Sequence, residues 1–152
     1  MPTIRTRQAN IHDLEPLAQL FDYYRQFYKQ IPNFELAKNF IAARLNNKDS
    51  VIFVAENSEN KLIGFCQIYP SFCSVAAAKI GVLYDLYVNE SARKTGAGKA
   101  LMLAAYEYAA KNGMVRLDLT TAKDNVKAQA LYKSLSWVRD EFFYAYSKQI
   151  NG

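Results

Sequence analysis

The chain has 152 residues, 51% of them apolar, with 11 Tyr, 9 Phe and a formal net charge of +5. That length suits one domain with a buried core, and that composition excludes a disordered linker or tail. No apolar run approaches the roughly eighteen residues of a membrane span, so none is expected.

Met1 to Arg7 lacks the apolar stretch and small-residue cleavage site of a secretory signal, so a cytoplasmic location is expected. Thr3 to Gln8 alternates weakly and predicts a first strand. From Asp13 to Tyr28 the residues Leu14, Leu17, Ala18, Phe21, Tyr24 and Tyr28 recur at helical spacing, with Pro16 near the start, where its missing N–H does no harm. Pro32 breaks the chain, and Asn33 is placed to cap a second helix running to about Leu45. Val51 to Ala55 predicts a buried strand, Asn57 to Lys61 a hairpin turn, Leu62 to Tyr69 the return strand, and Ile80 to Val88 another strand. A long helix follows from about Ala97 to Lys111, closed by Asn112 and Gly113. Val115, Leu117 and Leu119 alternate with Arg116, Asp118 and Thr120 as a strand. Asn125 to Leu135 reads as helix and Glu141 to Ser147 as an aromatic closing strand. No linker or repeat interrupts this order, which predicts a single α/β domain over 1–152 with a mixed central sheet flanked by helices.

Several chemistries are excluded by supply. One His and two Cys cannot make a zinc site, so no metal is expected. Cys66 and Cys73 read as small apolar fillers, and His12 as a surface residue near a helix start. The positive charge favours anionic partners without choosing among them. Lys and Arg are scattered and not gathered on a stripe, so nucleic acid is not expected.

The informative segment runs from Leu83 to Leu101. A strand enters a loop holding Arg93, Lys94, Thr95, Gly96, Ala97, Gly98, Lys99 and Ala100, and the loop opens a helix. Unpaired N–H groups at a helix start, backed by the helix dipole, attract an anion. Gly96 and Gly98 let a pyrophosphate approach, and Arg93, Lys94 and Lys99 add charge at the rim. A P-loop would need glycine at Arg93 and a hydroxyl at Ala100, and a dinucleotide fingerprint would need glycine or alanine at Leu101. Both fail.

Val88 to Leu101 resembles the acetyl-coenzyme A (acetyl-CoA) signature of the GNAT acetyltransferases, Arg/Gln-x-x-Gly-x-Gly/Ala. A second block resembles the same family: Asn125, then Ala130, Leu131 and Tyr132, then Leu135, Ser136 and Trp137, with Ser136 where relatives carry glycine. The resemblance spans nearly the whole chain and implies the acyl-CoA N-acyltransferase (GNAT) fold. It also implies that backbone groups of Leu86, Tyr87 and Val88 pair with the pantetheine arm. Amides from Arg93 to Ala100 would then hold the pyrophosphate, with Asn125 on the pantetheine and Tyr132 near the thioester sulfur. The implied activity is transfer of acetyl from acetyl-CoA to a primary amine of a small molecule, amino acid or peptide, by direct attack in a ternary complex. The alternative is a non-catalytic acetyl-CoA sensor of the same fold. Relatives are often dimers through their C-terminal strands, so a homodimer is a further implication.

The reaction needs a neutral amine, although an amine of pKa ~10.4 is protonated at neutral pH. It also needs a donor to the developing oxyanion and a proton for the leaving thiolate, for which Tyr132, with an ordinary pKa of ~10, is competent. The general base stays unassigned among Glu56, Asp118 and a water relay. Some polyamine-acetylating relatives place a base where Tyr84 stands, and Asp85, one residue on, is expected to face the opposite side of the strand. The resemblance places Tyr23, Tyr24, Arg25 and Tyr28 at the acceptor pocket, with Tyr84, although helical aromatics also suit a core. Tyr69 to Phe72 is a further candidate wall.

Overall fold

The structure is a computed structural model that describes residues 3–151; Met1, Pro2 and Gly152, at the ends of the expected domain, lie outside it. The chain divides into two compact units, Met1–Thr120 and Thr121–Gly152.

In the first unit one sheet runs in the order β1 (Arg5–Gln8), β2 (Val51–Glu56), β3 (Leu62–Cys73), β4 (Ala78–Val88) and β5 (Leu117–Asp118). Neighbours are antiparallel from β1 to β4, and β5 joins β4 in parallel. A parallel neighbour needs a crossover, supplied by α3 (Ala97–Lys111); α1 (Leu14–Phe27) and α2 (Phe34–Asn47) fill the long β1–β2 connection. The expected mixed sheet with flanking helices is therefore present. Among the described residues no helix is long and apolar enough to cross a membrane.

Short-range chemistry sets the helix starts. A 3-10 turn, Ile11–Asp13, leads into α1. Asn10 Oδ1 accepts from the His12 amide at 2.9 Å while Asp13 Oδ2 accepts from the Asn10 amide at 2.9 Å. At α2, Asn33 Oδ1 accepts from the Leu36 amide at 3.1 Å. Leu17, Leu20 and Phe21 of α1 and Ala37 and Ile41 of α2 pack on Ile52, Val54 and Phe65. Leu101, Met102 and Ala105 of α3 are also buried. Each large apolar side chain removed from water contributes about 1.5–3 kcal/mol. At Gly64 the packing is too close for a side chain: a Cβ there would lie 2.8 Å from the Tyr87 carbonyl oxygen and 3.3 Å from Leu101.

Two strands differ from expectation. β3 continues past Tyr69 to Cys73, with Pro70 opposite Gly81 inside the ladder, although proline ordinarily ends a strand. β5 shrinks to two residues, paired only as Gly81 with Leu117 and Val82 with Asp118.

In the second unit, α4 (Val126–Ser134) begins at Asn125, whose Oδ1 accepts from the Ala128 amide at 3.3 Å. It ends in a Schellman motif: the Ser136 amide donates to Lys133 and the Trp137 amide to Tyr132, both at 3.0 Å. Ser136 takes the left-handed position at φ 68°, and the Tyr132 and Trp137 rings meet at 6.3 Å. The expected closing strand, Glu141 to Ser147, is not formed. Asp140 instead accepts from the amides of Phe142 and Phe143, and Phe142, Tyr144 and Tyr146 are at least 90% exposed. Aromatic alternation supplies strand propensity, but a strand also needs a partner edge for its N–H and C=O groups.

Candidate functional site

The loop into α3 turns through left-handed backbone at Lys94 and Gly96. Asn89 Oδ1 accepts from the Ser91 amide at 3.1 Å to start a 3-10 turn over Glu90–Ala92, and Thr95 Oγ1 donates to the Ala92 carbonyl at 2.6 Å. Lys94 and Gly96 then take left-handed conformations at φ 66° and 88°. Nothing lies within 4 Å of a Cβ built on Gly96, so backbone conformation and not crowding calls for glycine there. Gly96 offers no side chain to cap α3, which leaves the first-turn amides of Ala97, Gly98 and Lys99 facing outward at the positive end of the helix dipole.

Two parts of the expected cradle are already engaged. The Arg93 amide donates to Glu90 at 3.4 Å and the Ala100 amide to Gly96 at 3.0 Å, which narrows the open amides to Lys94 through Lys99. Arg93 does not stand free at the rim. Its Nε donates to the Val88 carbonyl at 3.1 Å, and its guanidinium lies 5.8 Å from the Tyr87 ring centre and 6.0 Å from that of Phe27. Beyond Val82, no strand among the described residues pairs with the β5-facing edge of β4, so the stretch through Leu86, Tyr87 and Val88 has no strand neighbour there, although Arg93 takes the Val88 carbonyl.

The same stretch of β4 carries a bulge. Gln67 pairs with Asp85 but Ile68 pairs with Leu83, so Tyr84 is one residue too many. A bulge breaks the two-residue alternation and re-aims side chains. Leu83 and Leu86 oppose Ile68 and Cys66, and the two residues between them share the other face. The expectation that Tyr84 and Asp85 face opposite sides is therefore corrected. The Tyr84 ring meets Tyr69 at 5.6 Å, and Asp85 and Tyr84 both act on the Tyr24 and Tyr69 phenols.

Asp85 is 5% exposed and Gln67 is fully buried. Ser50 Oγ donates to Gln67 Oε1 at 2.7 Å, which orients the amide so that its Nε2 donates to Asp85 Oδ2 at 2.8 Å. The Tyr24 hydroxyl donates to the Tyr84 carbonyl at 3.4 Å, close enough for the Asp85 charge to act on it. Burial pushes the Asp85 carboxyl above the usual carboxylate range against the pull of the Gln67 amide and the nearby Tyr24 phenol. Burial likewise raises the Tyr24 phenol, and it pushes the Tyr69 phenol up to about 12.

The other candidates separate. Tyr24 and Tyr28 meet edge to face at 5.2 Å, and the Asp85 charge acts on both. Tyr23 lies by Tyr87, and Arg25 turns to Asp22 at 3.7 Å. Glu56 is held by Arg7 at 3.0 Å, and Asp118 is gripped by both arms of Arg116 at 2.7 and 3.1 Å, so neither is poised as a base. In the second unit Asn125 caps α4 and Tyr132 packs on Trp137. Gln67 was missed, although a lone amide inside the apolar run Leu62 to Ile68 was its visible signal.

Comparison with known proteins agrees with this architecture. A family profile described as Acetyltransferase (GNAT) family matches residues 15–137. The chain is 43% identical to an uncharacterized N-acetyltransferase, YhfO, of Bacillus subtilis, over 92% of this chain and 93% of that one. A crystal structure of a probable acetyltransferase superposes with a TM-score of 0.91 at 37% identity, covering 97% of this chain and 99% of the other. The aminoglycoside N-acetyltransferase AAC(6')-Iy, solved in complex with CoA, shares the fold at a TM-score of 0.81 and 18% identity, covering 99% of this chain and 97% of its own. An uncapped helix start after a glycine loop, an open strand edge beside it and a family match across most of the sequence lead to one statement: the chain belongs to the GNAT acetyltransferase family.

Proposed function

We propose that this chain is an N-acetyltransferase that moves the acetyl group of acetyl-CoA onto a primary amine of a small molecule, amino acid or peptide. Transfer is direct, within a ternary complex, and the two units act as one domain, a reading supported by a family match that runs through both. The observation that carries the proposal is the uncapped start of α3 behind the Gly96 turn.

The residues present fit acetyl-CoA. Amides of Lys94, Thr95, Gly96, Ala97, Gly98 and Lys99 would receive the pyrophosphate, and the Lys94 and Lys99 side chains would add charge. The open edge at Leu86, Tyr87 and Val88 suits the amide groups of a pantetheine arm, bonded as a strand would be. The side-chain amide nitrogen of Asn125 would serve the same arm. When bound, acetyl-CoA supplies an already activated thioester. The chain's own residues then position the amine, where orientation can be worth several kcal/mol, on the order of 7 at best. Tyr132 would protonate the departing thiolate. A homodimer would cover the exposed aromatics of the C-terminal segment.

Gly98→Glu tests the cradle, because it brings a carboxylate to an anion site. Calorimetry is expected to show acetyl-CoA affinity reduced at least about tenfold, roughly 1.4 kcal/mol, in a folded protein. Unchanged affinity overturns the proposed cradle. Tyr132→Phe is expected to lower kcat by about 10- to 100-fold with little change in cofactor KM. Wild-type values for both parameters would remove Tyr132 as the acid, and a chain that binds CoA but turns over no amine would return the sensor reading.

A further inference from the structure

Among the described residues the buried acids are Asp13, Asp22, Glu56 and Asp85. Arg7 reaches both Asp13 and Glu56, at 2.7 and 3.0 Å, and Arg25 lies 3.7 Å from Asp22. Asp85 takes part in none of the ion pairs formed by the described residues. A carboxylate withdrawn from water without a cation is costly, and such groups cluster at functional sites. Its donor, the Gln67 side-chain amide, suits the ionised form and holds it in place, yet does not neutralise it.

The surroundings indicate what does. Asp85 sits at the β4 bulge, where its charge acts on the Tyr24, Tyr28 and Tyr69 phenols and where the rings pair as Tyr24 with Tyr28 at 5.2 Å and Tyr69 with Tyr84 at 5.6 Å; its strand carries the free edge and leads into the loop of the proposed cofactor cradle. Tyrosine faces attract a cation through the ring quadrupole. One carboxylate with tyrosines in its neighbourhood matches one ammonium on an apolar or aromatic stem, and it lacks a second anion for a polycation.

We propose that Asp85, positioned by Gln67 and Ser50, is the counter-charge that selects a single-ammonium acceptor and then takes its proton. The inference rests on the acetyl-transfer reading above. The ammonium gives one proton to Asp85, and the freed lone pair forms the N–C bond to the thioester carbonyl carbon. The C–S bond breaks, sulfur leaves with the electron pair and takes the Tyr132 proton, and the nitrogen's second proton restores the phenol, giving amide and thiol. Asp85 then returns its proton to water. The titratable groups around Asp85 are Tyr24 and Tyr28 from α1, Tyr69 from β3 and Tyr84 from β4; its charge also reaches Cys66 on the opposite face of β3, and Arg44 and Asp49 act on Tyr69 from farther out. Burial raises the Tyr24, Tyr28, Tyr69 and Cys66 groups, which leaves Asp85 to set the acidic limb of activity.

The test uses the full chain, acetyl-CoA and four probes: n-butylamine, 2-phenylethylamine, glycine amide and the dication 1,4-diaminobutane. Thiol release gives kcat/KM against pH, alongside CoA affinity and melting temperature. Wild type is expected to acetylate at least one monoamine and to prefer it to the diamine. Asp85→Asn is expected to lose about 100-fold in kcat/KM for that probe and its acidic limb, while keeping CoA affinity and melting no lower than wild type. Asp85→Glu should restore part of the rate. Activity within about threefold of wild type with an unchanged pH profile overturns the assignment. So does a loss matched by lower melting temperature and lost CoA binding, which marks a structural residue. Wild type that binds CoA but turns over none of the monoamines, or prefers the diamine, overturns the acceptor class. If wild type fails to bind CoA at all, the acetyl-transfer reading itself has failed, and that outcome is distinct from the others.

Discussion

Two buried carboxylate sites in the same unit show opposite designs. At the β1–β2 edge, Asp13 accepts from both Nη atoms of Arg7, at 2.7 and 2.8 Å, while Glu56 accepts from its Nε at 3.0 Å. That clasp ties β1 and β2 to the start of α1, and the guanidinium holds the Asp13 carboxyl below the usual carboxylate range. At the β4 bulge, Asp85 accepts from the Gln67 side-chain amide, and burial pushes its carboxyl up. A paired acid fixes strands together. An acid held by a neutral donor keeps its basicity for something outside the fold.

The largest expected difference is the one already stated for Asp85→Asn, with activity lost and stability kept. Its mirror image is Arg7→Met, which strands two buried carboxylates. Urea unfolding is expected to show a loss of about 2 kcal/mol, less than for a fully buried pair because Arg7 is partly exposed, with kcat/KM retained. An Arg7→Met protein as stable as wild type would dissolve the contrast.

Acid sharpens it through opposite signs. Asp13, depressed in the folded state, contributes stability above the usual carboxylate range and loses it as pH falls through its lowered pKa. The Arg7→Met deficit is therefore expected to shrink on acidification. Asp85, raised in the folded state, favours folding more as it becomes protonated, so any stability advantage of Asp85→Asn is largest near neutrality and vanishes in acid. Unfolding curves collected across the acidic range read both trends, and parallel trends would show that the two sites are alike.

The smallest effect is expected outside both regions and calibrates the scale. Ser136 holds the left-handed position after α4 at φ 68°, where glycine is free of the Cβ penalty. Ser136→Gly is expected to stabilise by about 0.5–1 kcal/mol. A destabilised variant would mean that the serine side chain contributes more than its backbone strain costs.

Much of the site was legible because its chemistry is local. The Gly96 turn, the uncapped α3 start and the cap at Asn33 depend on residues within a few positions of one another, and they form where the spacing placed them; Asn125 was read only as the start of a helix, which it also caps. Asp85 was visible as a residue but not as a partner of Gln67, because eighteen positions separate them and only strand register brings them together. Arg93 was read as rim charge, and it folds back onto Val88 because Tyr87 and Phe27 offer ring faces that no loop motif announces.

What sequence alone determined was the order of the helices and of the first five strands, their periods and the glycine turn before α3, since each follows from backbone rules over one or two turns. Tertiary structure decided the rest. It inserted Tyr84 as an extra residue in β4 and so turned Asp85 to the tyrosine face, it shortened β5, and it left Glu141 to Ser147 without a ladder. Strand pairing is a relation between distant segments: a one-residue change in register reverses which face a side chain occupies, and no local pattern carries that information.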